Sequence, residues 1–244
     1  MFSIEGKGGV GKSTVSGLAV DAISQDGKRS VAIVDGDTTN STMASMYGNV
    51  DLIDTSEEEA AGRISAHLKS SHDYMVMDMG ARSEAVFIKK ILPRLVRGRK
   101  KNDVELVALR PITLSTFVQN NAVSFVELTA PLGVKTILIR NVSQGRTEGH
   151  FADWNKSRGR KTALDLGARE VDMSDAGVRW GDEVPAFGLN FSAAARGDFS
   201  RIDPKYLSVV ERLFTKGVQA HLGFWVEENA ERLLLVLQEL GIKI

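Results

Sequence analysis

Residues 6–13 constrain this 244-residue chain more than any other stretch: they read Gly-Lys-Gly-Gly-Val-Gly-Lys-Ser and fit the pattern G-x-x-x-x-G-K-[ST] without a gap. A short apolar run at residues 1–4 precedes them, and an amphipathic, helix-like run at 14–25 follows. In this setting the glycines let successive backbone N–H groups point at an anion, and the helix adds its positive end. The pattern therefore predicts a phosphate-binding loop.

The loop gives its polar side chains distinct roles. We expect Lys12 to neutralise the β- and γ-phosphates of a nucleotide and the Ser13 hydroxyl to ligate Mg²⁺. ATP and Mg²⁺ are thus the predicted cofactors. The remaining phosphate contacts are expected from the backbone of Gly8, Gly9, Val10, Gly11 and Thr14.

Composition excludes several classes of protein. The chain has no cysteine, which excludes disulfides, thiolate catalysis and cysteine-ligated clusters. It carries 31 basic and 31 acidic residues, so it is no polycation. The longest apolar run, at 233–237, is too short to span a bilayer, and no apolar leader precedes the loop. We expect a soluble, cytoplasmic protein.

Apolar strand-like runs alternate with amphipathic segments, which predicts an α/β fold. We expect a doubly wound, mostly parallel sheet with helices on both faces, in a single domain at 1–244. The predicted strands are 1–4, 30–34, 74–77, 104–109, 134–139 and 170–173. The predicted helices are 14–25, 57–70, 84–97, 116–132, 204–217 and 223–240, with the C-terminal pair (204–241) packing on the domain and no strand after it.

Carboxylates follow two of these strands, where ligands of parallel sheets bind. Asp35 and Asp37 leave the second strand, and such a pair beside a phosphate suits Mg²⁺ binding and water positioning; for Asp37 an Asx turn that caps the next helix is the alternative. Asp78 ends the next strand in the Walker B arrangement, which binds Mg²⁺ opposite Ser13. Nearby, Gly80 is placed to offer its N–H to a γ-phosphate, and Arg82 is either a phosphate or partner contact or an ordinary surface residue.

Lys7, directly after the first glycine, makes the loop resemble the deviant Walker A motif of the ParA/MinD family of P-loop ATPases. The resemblance covers the N-terminal half well and the last hundred residues thinly. In that family the early lysine reaches the nucleotide of the other subunit, which implies an ATP-dependent homodimer and a catalytic role for Lys7 beside Lys12. A solvated loop lysine is the alternative for Lys7.

The same resemblance assigns further residues. It implies that Asp37 orients the attacking water, that Asp35 lies nearer the metal, and that Asn141, just beyond the strand at 134–139, recognises adenine. Pro185 resembles a proline in a later loop that lines the base. The family's usual Pro-Gln after the second aspartate is replaced by Thr38-Thr39, and the usual proline after Asp78 is absent.

Three branches of the family suggest different cellular roles. A membrane-binding end is disfavoured because residues 227–244 carry four glutamates against Arg232 and Lys243, which favours a packing helix or dimer surface. Partition proteins of the family bind DNA non-specifically through basic surface residues. A basic run in this chain either forms such a surface or is a solvated helix end, and the two interpretations are equally good. The run consists of Lys89, Lys90, Arg94, Arg97, Arg99, Lys100 and Lys101, and a smaller basic group consists of Lys156, Arg158, Arg160 and Lys161.

The third branch, the plasmid-borne TraL/StbC-like ATPases of conjugation and plasmid stability, resembles the chain at residues 35–40, 78–81 and 141–154. The prediction is a slow Mg-ATPase that cycles between monomer and ATP-sandwiched dimer in plasmid partition, stability or conjugal transfer, with a protein partner. An ATP-binding adaptor and an ATP-dependent ligase or synthetase, such as a dethiobiotin-synthetase-like enzyme, are the alternatives. The four histidines, His67, His72, His150 and His221, lack ligand spacing and are expected at the surface or in packing.

Overall fold

A parallel β-sheet forms the centre of the computed structural model. The structure describes residues 1–55, 57, 59–81, 83–141 and 151–244, and of residues 100, 101, 178 and 179 it describes the backbone alone. Its strands are β1 (Phe2–Ser3), β2 (Val31–Asp35), β3 (Asp51–Leu52), β4 (Tyr74–Asp78), β5 (Val107–Ile112), β6 (Lys135–Asn141) and β7 (Arg169–Met173). They pair in parallel in the order β3-β2-β4-β1-β5-β6-β7. Because β1 lies between β4 and β5, the loop that follows it leaves the middle of the sheet.

Helices connect the strands and cover both faces of the sheet. The first half of the chain contains α1 (Lys12–Ser24), α2 (Thr42–Met46), α3 (Ala60–His67), α4 (Glu84–Val86), a π-helical turn (Phe87–Ile91), α5 (Leu92–Asn102), α6 (Thr116–Thr129) and a 3₁₀ turn (Ala130–Leu132). The second half contains α7 (Ala152–Lys156), α8 (Arg158–Asp165), α9 (Val178–Ala186), α10 (Phe191–Arg196), α11 (Pro204–Leu213) and α12 (Lys216–Glu239).

Neighbouring strand residues enter opposite cores, as the pleat of a strand requires. In β4, Val76 packs into the core beneath α1 and α12, whereas Met77 packs into the core beneath α3 and α5. A third apolar cluster lies between β6, α6 and α8. The predicted α/β fold, with a parallel sheet covered on both faces, is confirmed.

Element bounds differ from the prediction where short-range signals are weak. The break between the two C-terminal helices lies at Phe214 and Thr215, whereas the prediction placed it after residue 217. The last helix begins this early because the Thr215 hydroxyl caps it by accepting the N–H of Val218. Strand β5 begins three residues later than predicted. The helix predicted at 84–97 contains the π-helical turn, next to Pro93, whose ring nitrogen has no N–H to donate. Strand β3 and helices α2, α7, α8, α9 and α10 had no sequence prediction.

Helix α12, the longest in the described part of the chain, buries Leu222, Leu233 and Leu237 in the same core as Leu18 and Ile23 of α1. It is thus packed against the helix that follows the glycine-rich loop. Among the helices of the described residues, none has the length and apolar character needed to cross a membrane.

Candidate functional site

A cavity of ≈ 840 Å³ opens at the carboxyl ends of the central strands. It brings together residues that are far apart in sequence: the glycine-rich loop, the segments after β2, β4 and β7, the last residue of β6, and helix α9. Predicted site residues on its wall are Gly8, Gly9, Gly11, Lys12, Ser13, Thr14, Asp37, Asp78, Asn141 and Pro185. Met173, Asp175 and Trp225 also line it and were not predicted from the sequence, because no motif marks them.

The glycine-rich loop has the backbone that an anion-binding loop needs. Gly9 and Gly11 have φ angles of 71° and 96°, in the left-handed region that favours glycine. Gly11 caps the N-terminus of α1, so the positive end of that helix faces the cavity. Val10 between them is buried in an apolar cluster and anchors the loop.

Lys12 points back along the loop, where its Nζ donates a 3.1 Å hydrogen bond to the carbonyl oxygen of Lys7. The residue is only 8% exposed. Burial lowers the pKa of its ammonium group, while the neighbouring carboxylates, first Asp78 and then Glu5, act in the opposite direction. A phosphate in the loop would offset this desolvation.

Ser13 and Asp78 are in direct contact, since the Ser13 hydroxyl donates a 2.6 Å hydrogen bond to Oδ2 of Asp78. Ser16, one turn further along α1, donates to the other carboxylate oxygen at 3.0 Å. Burial raises the pKa of Asp78 to about 7, and the two serine hydrogen bonds act against that increase. The oxygen atoms of Ser13 and Asp78 thus lie together at the floor of the cavity.

Asp35 is fully buried, and its carboxylate accepts hydrogen bonds from backbone N–H groups rather than facing the cavity. Its Oδ1 accepts the N–H of Asp37 at 2.9 Å, and its Oδ2 accepts those of Met43 and Ala44 at 3.0 and 3.2 Å. Burial raises the pKa of this carboxyl group, against these hydrogen bonds. The carboxylate therefore fixes the segment that carries Asp37, and its predicted role as a metal ligand stays a prediction.

Asp37 lies at the cavity wall and forms an Asx turn, as the alternative proposed, but this turn does not cap the next helix, because the N-cap of α2 is Ser41. Its Oδ1 accepts the N–H groups of Thr39 and Asn40, each at 3.2 Å. The turn and a catalytic role are compatible, because the carboxylate still borders the cavity.

Asn141, at the end of β6, is 4% exposed and donates from Nδ2 to the carbonyl oxygen of Val10 at 3.0 Å. A Cβ atom on Gly11 would lie 2.7 Å from the same Nδ2, so only glycine permits this approach. Asn141 thus braces the loop; adenine recognition by its amide stays a prediction. Pro185, expected in a loop, lies instead inside α9 and reaches the cavity from that helix.

The donor set at this floor fits Mg²⁺, which prefers hydroxyl and carboxylate oxygens and retains water. Within the described residues no group of three histidine or acidic side chains converges as a complete metal-binding cage. Ser13 and Asp78 would therefore hold the ion together with phosphate oxygens and water. When bound, Mg²⁺ would neutralise charge on the phosphates.

Lys7 is exposed and does not line the cavity of its own chain, although its neighbours Gly8 and Gly9 do. Its backbone is anchored, because its N–H donates to Oε1 of Glu5 at 3.2 Å. The ammonium group therefore stands at the rim, outside the pocket that holds Lys12. Arg82, predicted as a phosphate contact, partner contact or surface residue, lies outside the described residues.

Part of the predicted basic surface forms a separate concavity of ≈ 480 Å³, lined by Lys89, Lys90, Arg94 and Arg97 together with Glu57. None of these four cations forms an ion pair with the residues that the structure describes. Arg99 departs from this surface, because its guanidinium binds the carbonyl oxygen of Gly133. The side chains of Lys100 and Lys101 lie outside the described residues.

Three of the other charged candidates, Arg160, His67 and His221, have local partners. Arg160 of the smaller basic group pairs with Glu170 at 2.7 Å. His67 contacts Asp51 at 3.0 Å, and the His221 ring lies 3.0 Å from the Ala176 carbonyl oxygen. His150 and most of the stretch 141–154 fall outside the described residues.

No protein-family model matches the chain, and no curated protein matches it. The solved structures that are similar to it include the following two. One is a nucleotide-binding protein from Archaeoglobus fulgidus in complex with ADP, at 16% identity and a TM-score of 0.43, covering 75% of this chain and 85% of that one. The other, from Borrelia burgdorferi B31, is described as a plasmid partition protein bound to AMPPNP, at 17% identity and a TM-score of 0.42, covering 73% and 87%. These similarities are too distant to assign a ligand or a role.

Proposed function

We propose that this protein is an ATPase of the ParA/MinD type that binds Mg-ATP and hydrolyses it slowly. The observation that carries the proposal is the loop of residues 6–13, with left-handed Gly9 and Gly11, set on the positive end of α1 and backed by the Ser13–Asp78 contact. These groups surround one end of a cavity of ≈ 840 Å³, a volume in the range of cofactor pockets.

Each group of residues has its own role in the proposed reaction. Lys12 and the loop N–H groups would hold the phosphates, while Ser13 and Asp78 would hold Mg²⁺. Asp37 would orient a water molecule whose oxygen bonds to the γ-phosphorus as the bond to the bridging oxygen of ADP breaks. Asn141 and Pro185, which line the same cavity, would contact the base.

The position of Lys7 supports the proposal of an ATP-dependent homodimer. An exposed lysine outside its own cavity can reach phosphates only if another surface presents them, and a facing subunit would do so. ATP would close two subunits face to face, and hydrolysis would reopen them. Such a cycle suits a role in plasmid partition, stability or conjugal transfer in the cytoplasm, with DNA or a protein as the partner and no membrane.

Single-turnover hydrolysis of ATP tests the proposal. Wild-type protein in excess over radiolabelled ATP should release phosphate slowly, and Asp37→Ala should reduce that rate by about 10²-fold or more, since positioned proton acceptors contribute roughly this much. Asp165→Ala, an exposed aspartate on α8, is the matched control and should retain the wild-type rate. An equal rate for Asp37→Ala would reject the role of Asp37.

The two alternatives give different results in the same assay. An adaptor would bind ATP without releasing phosphate, and a ligase or synthetase would turn over only when a small-molecule substrate is added. Phosphate release by the protein alone, without such a substrate, is the result that the ATPase proposal requires.

A further inference from the structure

Arg110, near the end of β5, carries a charge in a fully buried position. It is 0% exposed, and a buried guanidinium needs carboxylate partners to offset its desolvation. Two are present: Oε2 of Glu5 lies 2.8 Å from Nη2, and Oε1 of Glu84 lies 2.7 Å from Nη1. None of the three residues belongs to the nucleotide-binding motifs described above.

One side of this cluster is joined to the phosphate loop. Glu5 directly precedes the loop, and its second oxygen accepts the N–H of Lys7 at 3.2 Å. Arg110 also donates to the carbonyl oxygen of Ile4 at 3.2 Å, and its guanidinium lies 4.6 Å from the centre of the Phe125 ring. The cation is therefore held rigidly beneath the start of the loop.

The other side is joined to the turn after β4. Glu84 begins α4, and its Oε2 lies so close to Gly6 that a Cβ atom there would be 2.8 Å away. In the same turn, a Cβ atom on Gly80 would lie 3.3 Å from the Asp37 side chain. The turn thus runs between Asp37 and the loop, with Glu84 as its tether.

We propose that Arg110 is a positioning residue that, through Glu84, holds the turn carrying Gly80 and Ala81 against the phosphate loop. Ala81 lines the same cavity as Lys12 and Ser13, so the position of this turn shapes the phosphate end of the site. The inference rests on the proposed ATP binding for its functional consequence. The tether favours ATP over ADP, because the turn borders the end of the cavity where a third phosphate would lie.

Glu84→Gln tests the tether, because it keeps the shape of the side chain and removes its charge. Glu84 is 19% exposed, so the variant is expected to fold. Hydrogen exchange of the backbone amides in residues 83–91 should become about tenfold faster, and ATP affinity should fall about tenfold while ADP affinity stays within about twofold. The matched control is Glu127→Gln, an exposed glutamate on α6, which should leave all three values unchanged.

Arg110→Lys provides a second variant that retains the buried charge but cannot bind both carboxylates with a planar fork. Like Glu84→Gln, it should speed hydrogen exchange in residues 83–91 and lower the affinity for ATP. Unchanged exchange in residues 83–91 of Glu84→Gln would overturn the tether, and faster exchange with equal losses for ATP and ADP would overturn its selectivity for ATP. If wild-type protein binds neither nucleotide, the proposed function fails, whereas the exchange comparison still decides whether Arg110 holds the turn.

Discussion

The Ser13 hydroxyl donates a 2.6 Å hydrogen bond to Asp78, 65 positions further along the chain. Parallel pairing of β1 with β4 brings the two residues together, because the glycine-rich loop follows β1 and Asp78 is the last residue of β4. This contact brings together the hydroxyl and the carboxylate that are predicted to hold Mg²⁺.

Ser13→Ala should weaken Mg-ATP binding by about tenfold or more, because the ion loses a hydroxyl ligand. The remaining affinity should depend little on whether Mg²⁺ or a chelator is present. Titration of a fluorescent ATP analogue with and without Mg²⁺ measures both effects. Ser16→Ala is the matched control: it removes the other hydrogen bond to Asp78 but keeps Ser13, so Mg²⁺ should still strengthen binding. An undiminished response to Mg²⁺ in Ser13→Ala contradicts the assignment.

The two loop lysines should differ in their effects, since Lys12 is buried beside the cavity and Lys7 is exposed at its rim. Lys12→Ala should abolish tight nucleotide binding, with a loss of about 10²-fold or more. Lys7→Ala should bind ATP with nearly wild-type affinity yet fail to form the ATP-dependent dimer. Nucleotide titration and light scattering coupled to size-exclusion chromatography measure the two properties. Unchanged ATP affinity in Lys12→Ala, or an intact ATP dimer in Lys7→Ala, would refute the respective role.

The position of the glycine-rich loop between strand and helix and the parallel sheet were predictable from the sequence, because their signals are local. A glycine pattern over eight residues and apolar runs of four to six residues carry them. The buried cluster of Arg110, Glu5 and Glu84 was not predictable, since it depends on the strand order that places β5 beside β1. The sequence also could not show that Asp35 binds backbone N–H groups rather than facing the cavity, because no motif specifies how residues 36–44 fold back onto its carboxylate.

The concavity lined by Lys89, Lys90, Arg94 and Arg97 gives a prediction about DNA. Asp37→Ala protein, held in its ATP form, should bind plasmid DNA with ATP but not with ADP, and binding should weaken steeply with salt. Adding Lys90→Ala and Arg94→Ala should weaken it and lower the salt slope by about one per lost phosphate contact. The control pair is Lys156→Ala with Lys161→Ala, in the smaller basic group. Absence of DNA binding in both nucleotide states would favour a protein partner instead.

Asp21 gives a prediction about pH and stability. This residue of α1 lies 2.7 Å from the Tyr47 hydroxyl, which also lies 2.9 Å from the Gly17 carbonyl oxygen, and its other oxygen accepts the N–H of Ser192. Burial raises the pKa of the Asp21 carboxyl group above its ordinary value of 3.8, and the hydrogen bonds act against this. The hydrogen bond that the Tyr47 hydroxyl donates to Oδ1 of Asp21 is the largest of the effects that oppose burial.

The direction in which pH changes the free energy of unfolding follows from the linkage between proton binding and folding. As pH rises above the ordinary pKa, the unfolded chain releases the Asp21 proton while the folded chain retains it, so the free energy of unfolding falls until pH passes the raised pKa. Asp21→Asn should make this fall smaller without abolishing it, because its amide can donate to Tyr47 and accept from Ser192 without titrating, whereas Asp78 and Asp35, whose pKa values burial also raises, still contribute. Melting temperatures from about pH 4 to about pH 8 measure the slope. Asp165→Asn, at an exposed site, should keep the wild-type slope; the same slope in Asp21→Asn would show that another group causes it.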